Sequence, residues 1–498
     1  MTDTDQRDSD RLEALGYHQE LRRSLNILGN ISMGFAVVSP VVGLYAAAQV
    51  GMSVAGTAWI WALPLCLLGQ CLVVAVYSEL ASQWPLAGGA YQWSRRLASP
   101  AFAWLSGWMW QFAVMFGNTT VAYLASPWVF ALFGTVPTPT QQVLASIGFM
   151  LFCTLVNAYG INFLRWFVSL GIAAEAVASV LVGLTLLLVF RQHGFSMLTD
   201  FLGAPARLGV SDLSGFLAAV AVAGWAFIGF DACVSTAEET KDAARQVPRA
   251  MWWSLLSVGL VVILNAISVE LAHPNPADVV SGKDLDPVTT AVVHAFGGWA
   301  DKPFVVVVLV SFTACLMASQ GGAARGLYSL ARDDVFPFSQ QVRKVNRHKA
   351  PIGGLIAATL ISCAALPLGL STSAMGSLIT FGSAATFVPF FLLSVVALVA
   401  RLRGSWTPAG AVRYGRLGTP LNALAVLWTG FEVVNICWPR SILSPIGAPW
   451  YQVWAAVLGV GIVTVTGLGY LAVRRPHLRM RAADQDRPIG DELAPAVV

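Results

Sequence analysis

Gly224-Trp225-Ala226-Phe227-Ile228-Gly229-Phe230-Asp231 interrupts one long apolar run of this chain with two glycines, three aromatic rings and a carboxylate. Ser39-Pro40-Val41-Val42-Gly43 interrupts another, five apolar runs earlier. Pro40 has no backbone N–H to give to a helix. Carriers built from inverted repeats place their site where two corresponding helices break near the membrane midplane, exposing backbone amides and carbonyls. Breaks in the first and sixth runs are what two five-helix repeats require. Gly and Pro are common in membrane helices for other reasons, so the matched spacing carries this reading rather than either break alone.

The runs around these breaks belong in lipid. Of 498 residues, 56% are hydrophobic and only 11% charged, where a soluble domain carries ~25% charged residues. That is too little charge for a water-facing skin, and in lipid the backbone must pair internally, which favours apolar helices. Runs of the ~20 residues needed to cross a bilayer lie near 30–50, 59–81, 101–133, 142–158, 164–190, 213–238, 251–272, 303–329, 351–370, 375–401, 419–438 and 450–473. The expected fold is an all-α membrane protein of twelve transmembrane helices. Pro127 marks either the end of the third or a kink in it. Basic residues test the parsing, because Lys and Arg collect on cytoplasmic loops. With the N-terminus inside, 25 of the 30 Lys and Arg fall on the cytoplasmic side, leaving Arg191, Arg207, Lys283, Lys302 and Arg440 outside. The expected organisation is a cytoplasmic tail at 1–29, helices one to ten at 30–401, helices eleven and twelve at 402–473, and a second cytoplasmic tail at 474–498. The protein is expected in the cell (plasma or inner) membrane. The first 29 residues hold no apolar run with a cleavage site, so the first span should serve as an uncleaved start. Within that tail, Leu12 to Leu25 reads either as an amphipathic helix on the inner leaflet or as solvated chain.

Several chemistries have no residues to carry them. The seven cysteines lie in apolar stretches without a Cys-x-x-Cys pair, and the six histidines are scattered, so no disulfide framework, metal or cofactor is expected. The only Gly-Lys pair, Gly282-Lys283, lacks the Walker A context, and no Gly-x-Ser-x-Gly elbow or His-Glu-x-x-His helix occurs. A net charge of +4 gives no reason to expect nucleic acid. A channel would present rings of charge or a filter sequence, and a membrane enzyme a cluster of His or acidic residues. The sequence has neither, and no catalytic residue is assigned. Ionisable groups inside spans are costly and mark pathways or partners. Glu175, Asp231 and Glu432 are the deepest, while Glu79, Glu238, Glu239 and Glu270 stand nearer span ends. Asn118, in Phe116-Gly117-Asn118-Thr119-Thr120, either meets a ligand or bonds a neighbouring helix.

Three motifs then carry a resemblance. Tyr77-Ser78-Glu79-Leu80-Ala81-Ser82-Gln83-Trp84-Pro85, continuing through Gly88-Gly89-Ala90-Tyr91, resembles the signature after helix two of amino acid–polyamine–organocation permeases. Ala237-Glu238-Glu239-Thr240-Lys241-Asp242, with Val247-Pro248-Arg249-Ala250, resembles their helix-six signature, and Tyr328-Ser329-Leu330-Ala331-Arg332-Asp333-Asp334 the one after helix eight. Leu15-Gly16-Tyr17 and Glu20-Leu21-Arg22-Arg23-Ser24 are similar to the branch handling amino acids, 4-aminobutyrate and choline. The resemblance covers roughly residues 30–475. It implies the leucine-transporter fold, with two inverted five-helix repeats plus two extra helices, and secondary transport of amino acids or related amines, 4-aminobutyrate, choline and polyamines included. It also implies a substrate site on the two breaks at Ser39, Val42, Gly43, Trp225, Gly229 and Asp231, with Asn118 from helix three. Trp225 is similar to an aromatic gate over the substrate.

The sequence departs from that pattern in two places. The common Gly-Ser-Gly break of helix one is replaced by Val41-Val42-Gly43 after Pro40, which removes an amide donor and narrows the approach to the backbone. Glu175, fifteen residues after Gly160, stands where some proton-coupled members carry a lysine. It is the coupling candidate, with H+ or Na+ as the ion, either as a proton relay, as a permanently neutral interhelical bond, or as a cation ligand.

Overall fold

The computed structural model describes residues 3–21, 23–159, 161–370, 372–444 and 447–480, with backbone alone at 3–5, 161–165, 176–178 and 372–380. Arg22, Gly160 and the second tail beyond residue 480 lie outside the described residues. The long helices, numbered in chain order, are α1 (Asp3–Ala14), α2 (Ile27–Val38), α3 (Pro40–Ala55), α4 (Ala62–Gln83), α5 (Gly89–Leu97), α6 (Pro100–Ala131), α7 (Pro139–Ala158) and α8 (Ile161–Glu175). They continue with α9 (Asp212–Ala223), α10 (Ala243–Ala272), α11 (Asp301–Arg332), α12 (Ile352–Ala365), α13 (Thr372–Leu402), α14 (Gly418–Cys437) and α15 (Ala455–Arg474). The described residues hold no strand, only an isolated parallel bridge between Leu25 and Thr240.

Ten stretches among the described residues are long and apolar enough to cross a membrane. The first, Ile27–Gln83, has 57 residues and would run ~85 Å as one straight helix, against a hydrocarbon core of ~30 Å. It folds back instead, breaking at Ser39 and turning through Gly56–Trp61. Outside those ten stands α6, where the third span is expected. Trp104, Trp108, Trp110, Gln111, Asn118 and Thr119 make it less apolar, yet its 32 residues form one helix that continues past Pro127. Directly after Glu175 the chain widens into a π-helical turn, Ala176–Val182, before resuming at Gly183–Leu188.

The broken helices occupy the centre. The first packs through α2 on α8, α10 and α11, and through α3 on α9. Around them lies a buried aromatic cluster in which Tyr77 meets Trp93, Phe230 and Phe390 edge-on at 5.2, 6.0 and 5.6 Å between centroids. Aromatic pairs at such spacings contribute ~0.5–1.5 kcal/mol beyond the area they bury.

The first tail differs from both expectations for it. Its helix spans Asp3–Ala14 rather than Leu12 to Leu25, and Leu12, Leu15, Tyr17, Leu21 and Leu25 are buried against the bundle. The Tyr17 hydroxyl donates to Asp333 at 3.0 Å, and Gln19 Nε2 donates to the Glu238 carbonyl at 2.9 Å. Protein surface, not lipid or water, satisfies the apolar residues of this segment. Asp8 within it receives the Asp242 amide at 2.8 Å, and burial pushes its carboxyl up from the ordinary range.

Candidate functional site

At the first break the chain departs from helical geometry for one residue. Ser39 sits at φ 41°, ψ 109°, a region most side chains avoid. Its amide still donates to the Phe35 carbonyl at 2.8 Å, and its own carbonyl accepts from the Gly43 amide at 2.9 Å. The Ser39 hydroxyl accepts from the Val42 amide at 3.3 Å, capping α3, and donates to Glu175 Oε1. Pro40 follows at the first helical position, where a missing N–H costs nothing. The other carboxyl oxygen of Glu175 has no partner.

The second break is wider. After α9, Gly224–Phe227 forms a tight turn, Ile228 is extended, Gly229 takes φ 115°, and a one-turn helix Ala232–Ser235 follows. A Cβ on Gly229 would stand 2.5 Å from Val37 Cγ1, so glycine alone allows the two breaks to meet there. A Cβ on Gly43 would lie 3.1 Å from Ala226, which places the backbones of the two breaks side by side.

Beside them lies a cavity of about 110 Å3. A water takes ~30 Å3 in the liquid, so the space is that of about four waters. Asp231 is the only charged side chain among the described residues lining it, and Tyr77, Trp93, Trp110 and Trp225 supply aromatic walls. Of the positions singled out in the sequence, Val42, Trp225, Gly229 and Asp231 line this cavity; Ser39, Gly43, Asn118 and Glu175 do not. The Trp225 ring edge lies 4.0 Å from where a Cβ on Gly117 would be and 3.6 Å from one on Gly382. Asn118, one residue on from Gly117, is fully buried with neither amide atom partnered. Tyr77, Trp93, Trp110, Gln111, Ser319 and Thr386 also line it without having been singled out as site residues. Of these six only Tyr77 had a signal, as the first residue of the motif after helix two, from which Gly88, Gly89 and Ala90 reach the lining as well.

Two buried ion pairs stand where the second broken helix ends. Arg325 meets Glu239 at 2.8 Å, and Arg332 grips both oxygens of Glu238 at 3.0 Å. The Arg332 guanidinium also lies 3.8 Å above the Tyr17 ring. Asn30 ties α2 to the same region, donating to Thr240 Oγ1 at 2.7 Å and the Cys233 carbonyl at 3.1 Å. On the other side of the breaks, the Tyr45 hydroxyl lies 3.0 Å from Thr289 Oγ1 and its ring meets Trp128 edge-on. The arrangement suits a small organic cation: one carboxylate for charge, ring faces for an ammonium, and closed contacts on either side.

Residues 28–465 match the amino acid permease family model. The amino-acid permease BAT1 of Arabidopsis thaliana is 25% identical, over 92% of this chain and 92% of its own length. The low-affinity putrescine importer PlaP of Escherichia coli (strain K12) is 26% identical, over 87% of this chain and 97% of the importer. The thiamine transporter thi9 of Schizosaccharomyces pombe is 23% identical, over 91% of this chain and 84% of the transporter.

Proposed function

Because this chain belongs to the amino acid permease family, we propose that it is a secondary transporter of small organic amines, each held as a cation against Asp231. The observation that carries this reading is the cavity's single charged side chain, set among four aromatic rings. A site for an α-amino acid would need donors for a carboxylate as well. At the first break the Val42 and Gly43 amides already bond Ser39 and Pro40 has none, which leaves few donors there for a carboxylate. Putrescine and thiamine, named in two relatives, are organic cations at neutral pH. The relatives named as amino-acid permeases favour a second reading, in which a zwitterion turns its carboxylate toward Gln111 and Ser319.

Alternating access follows from twelve spans arranged as two inverted five-helix repeats plus two helices, both tails cytoplasmic. The Glu239–Arg325 and Glu238–Arg332 pairs then close the cytoplasmic side, and Tyr45, Trp128 and Thr289 the outer side. Breaking a buried ion pair by removing one partner costs ~3–5 kcal/mol, so opening inward must separate both members into water together. Glu175 is the coupling candidate at the first break, for H+ or Na+. Cysteine probes at Lys283 and Arg440 should label from outside the cell, and one at Lys349 should not.

The test is a thermal-shift screen of the purified protein against putrescine, choline, 4-aminobutyrate and amino acids, followed by uptake in proteoliposomes. A ligand that binds only the native state raises its melting temperature. Putrescine or choline should raise it more than any zwitterion, and trans-stimulated uptake should follow. Stabilisation by amino acids alone would favour the second reading, and uptake without saturation or trans-stimulation would replace a carrier with a channel.

A further inference from the structure

Most carboxylates inside the bundle are accounted for by a partner. Glu79 pairs with Arg401, Glu238 with Arg332, Glu239 with Arg325, and Glu175 accepts from Ser39. Glu432, five residues before the end of α14, is not. It is 0% exposed, and neither carboxyl oxygen has a hydrogen-bond partner. Glu270 shares this lack but lies two residues before the end of α10.

The position of Glu432 gives the lack a meaning. A Cβ added to Gly224, the residue at which α9 gives way to the second break, would lie 3.6 Å from Glu432 Oε2. The acid therefore stands at the hinge of the helix that carries Trp225 and Asp231, and outside the lining of their cavity. The seam between α14 and α4 is polar. Gln70 is fully buried with both amide atoms unpartnered, the Trp428 indole N–H is unpartnered, and Gly69 exists there to admit the Trp428 ring. A neutral glutamic acid kept for helix packing would spend its hydroxyl on a neighbour; this one spends neither oxygen. An unpaired charge in such surroundings costs far more than holding a proton.

We propose that Glu432 is a proton-carrying site linked to the second break, distinct from the substrate carboxylate Asp231. In the conformation seen here it holds its proton on a carboxyl oxygen. When movement at Gly224 admits water, the O–H bond breaks, the proton passes to water and the carboxylate is left hydrated. Closure on the other side of the membrane reverses the step. The charged and titratable groups within electrostatic range are Cys66 on α4 and Arg440 beyond the end of α14. On the other packed elements, Glu79 and Arg401 neutralise each other beside Gly418, Asp212 begins α9, and Tyr470 and Arg474 lie at the far end of α15. Of these only Arg440 is a permanent cation in range, and its guanidinium donates to Asn435 rather than to Glu432.

This inference rests on the transporter reading, and two measurements separate the fates of the two. The first needs no substrate. Melting temperatures of the full-length wild type and Glu432→Gln in lipid are compared from about pH 5 to pH 9, since a group that holds its proton more tightly in the fold than in the unfolded chain makes stability depend on pH. The wild type should lose stability relative to Glu432→Gln as the pH rises, because the unfolded chain gives up this proton at an ordinary carboxylate pH, and the loss should level off where the folded protein gives it up too. A difference that stays flat means that Glu432 is already ionised in the fold, and one that widens without levelling to pH 9 means that it never releases its proton; either result overturns the proposal. The second uses radiolabelled putrescine in proteoliposomes. Glu432→Gln should retain putrescine-for-putrescine exchange and lose at least about tenfold of the accumulation driven by a pH gradient. Wild-type accumulation by the variant overturns the proposal. If the wild type moves no putrescine, the amine reading fails, while the pH dependence of melting still decides whether Glu432 carries a proton.

Discussion

At the first break one residue leaves helical geometry, and the amides of Ser39, Val42 and Gly43 all find acceptors within the chain. At the second, Ile228 and Gly229 leave it together, Gly229 at φ 115°, and Trp225, Gly229 and Asp231 line a cavity. The contrast comes from chemistry at single positions. A capping serine before a proline makes a kink that satisfies itself, because the hydroxyl supplies the acceptor that the interrupted ladder lacks. A glycine in the positive-φ region opens the chain with no side chain to seal it. In this protein the first break is tied to Glu175 through Ser39 and sends Val42 to the cavity, while the second sends it Trp225, Gly229 and Asp231.

Substitutions at the two breaks should therefore behave differently. Asp231→Asn should have the largest effect on binding. A charge-assisted hydrogen bond contributes ~1.5–3 kcal/mol, so amine affinity should fall about tenfold to more than a hundredfold by thermal-shift titration, with Asp231→Glu recovering part of it. An unchanged affinity in Asp231→Asn would remove the basis of the amine reading. Gly229→Ala should come next, acting on stability. Its Cβ would meet Val37 at 2.5 Å from a backbone angle that alanine rarely adopts, a strain of ~1–3 kcal/mol, seen as a lowered melting temperature. Gly43→Ala, with 3.1 Å to Ala226 and an ordinary φ, should cost distinctly less. If the two alanines destabilise equally, the breaks do not differ in the way their geometry says.

Trp225→Ala should weaken amine binding by ~0.5–2 kcal/mol, the range of a cation over an indole, with Trp225→Phe milder. Smallest in affinity should be the first-break variants. Ser39→Ala removes the α3 cap and the Glu175 partner, costing ~1 kcal/mol of stability and leaving amine affinity within twofold or so. Glu175→Gln keeps an acceptor for the Ser39 hydroxyl. It should preserve exchange and lose pH-driven uptake if Glu175 carries a proton. Full pH-driven uptake would leave the proton role to Glu432 alone, and a strict sodium requirement would assign Glu175 to a cation instead.

Much of the fold was legible because lipid selects on composition. Apolar runs near 30–50 and 213–238 correspond to α2–α3 and to the α9 region, and Pro40 and Gly229 mark the breaks by their own backbone limits. The site was legible only where it lies on those breaks. Trp93, Trp110, Ser319 and Thr386 reach the cavity from α5, α6, α11 and α13, and none stands in a local pattern that distinguishes it from packing. The same holds for the tail. Leu12, Leu15 and Tyr17 read as an amphipathic surface, and only the bundle shows what covers them.

Hydropathy, a missing proline N–H and glycine's lack of a Cβ act on the residue that bears them, so a bundle of membrane helices with two breaks was legible along the chain. Which carboxylate lines a cavity, which is held by serine and which is left unpartnered at a hinge depends on contacts that form only in the folded bundle. Asp231, Glu175 and Glu432 are alike as acids in apolar runs. Their roles depend on what the other helices bring within a few ångströms of each oxygen, and those neighbours lie far away along the chain.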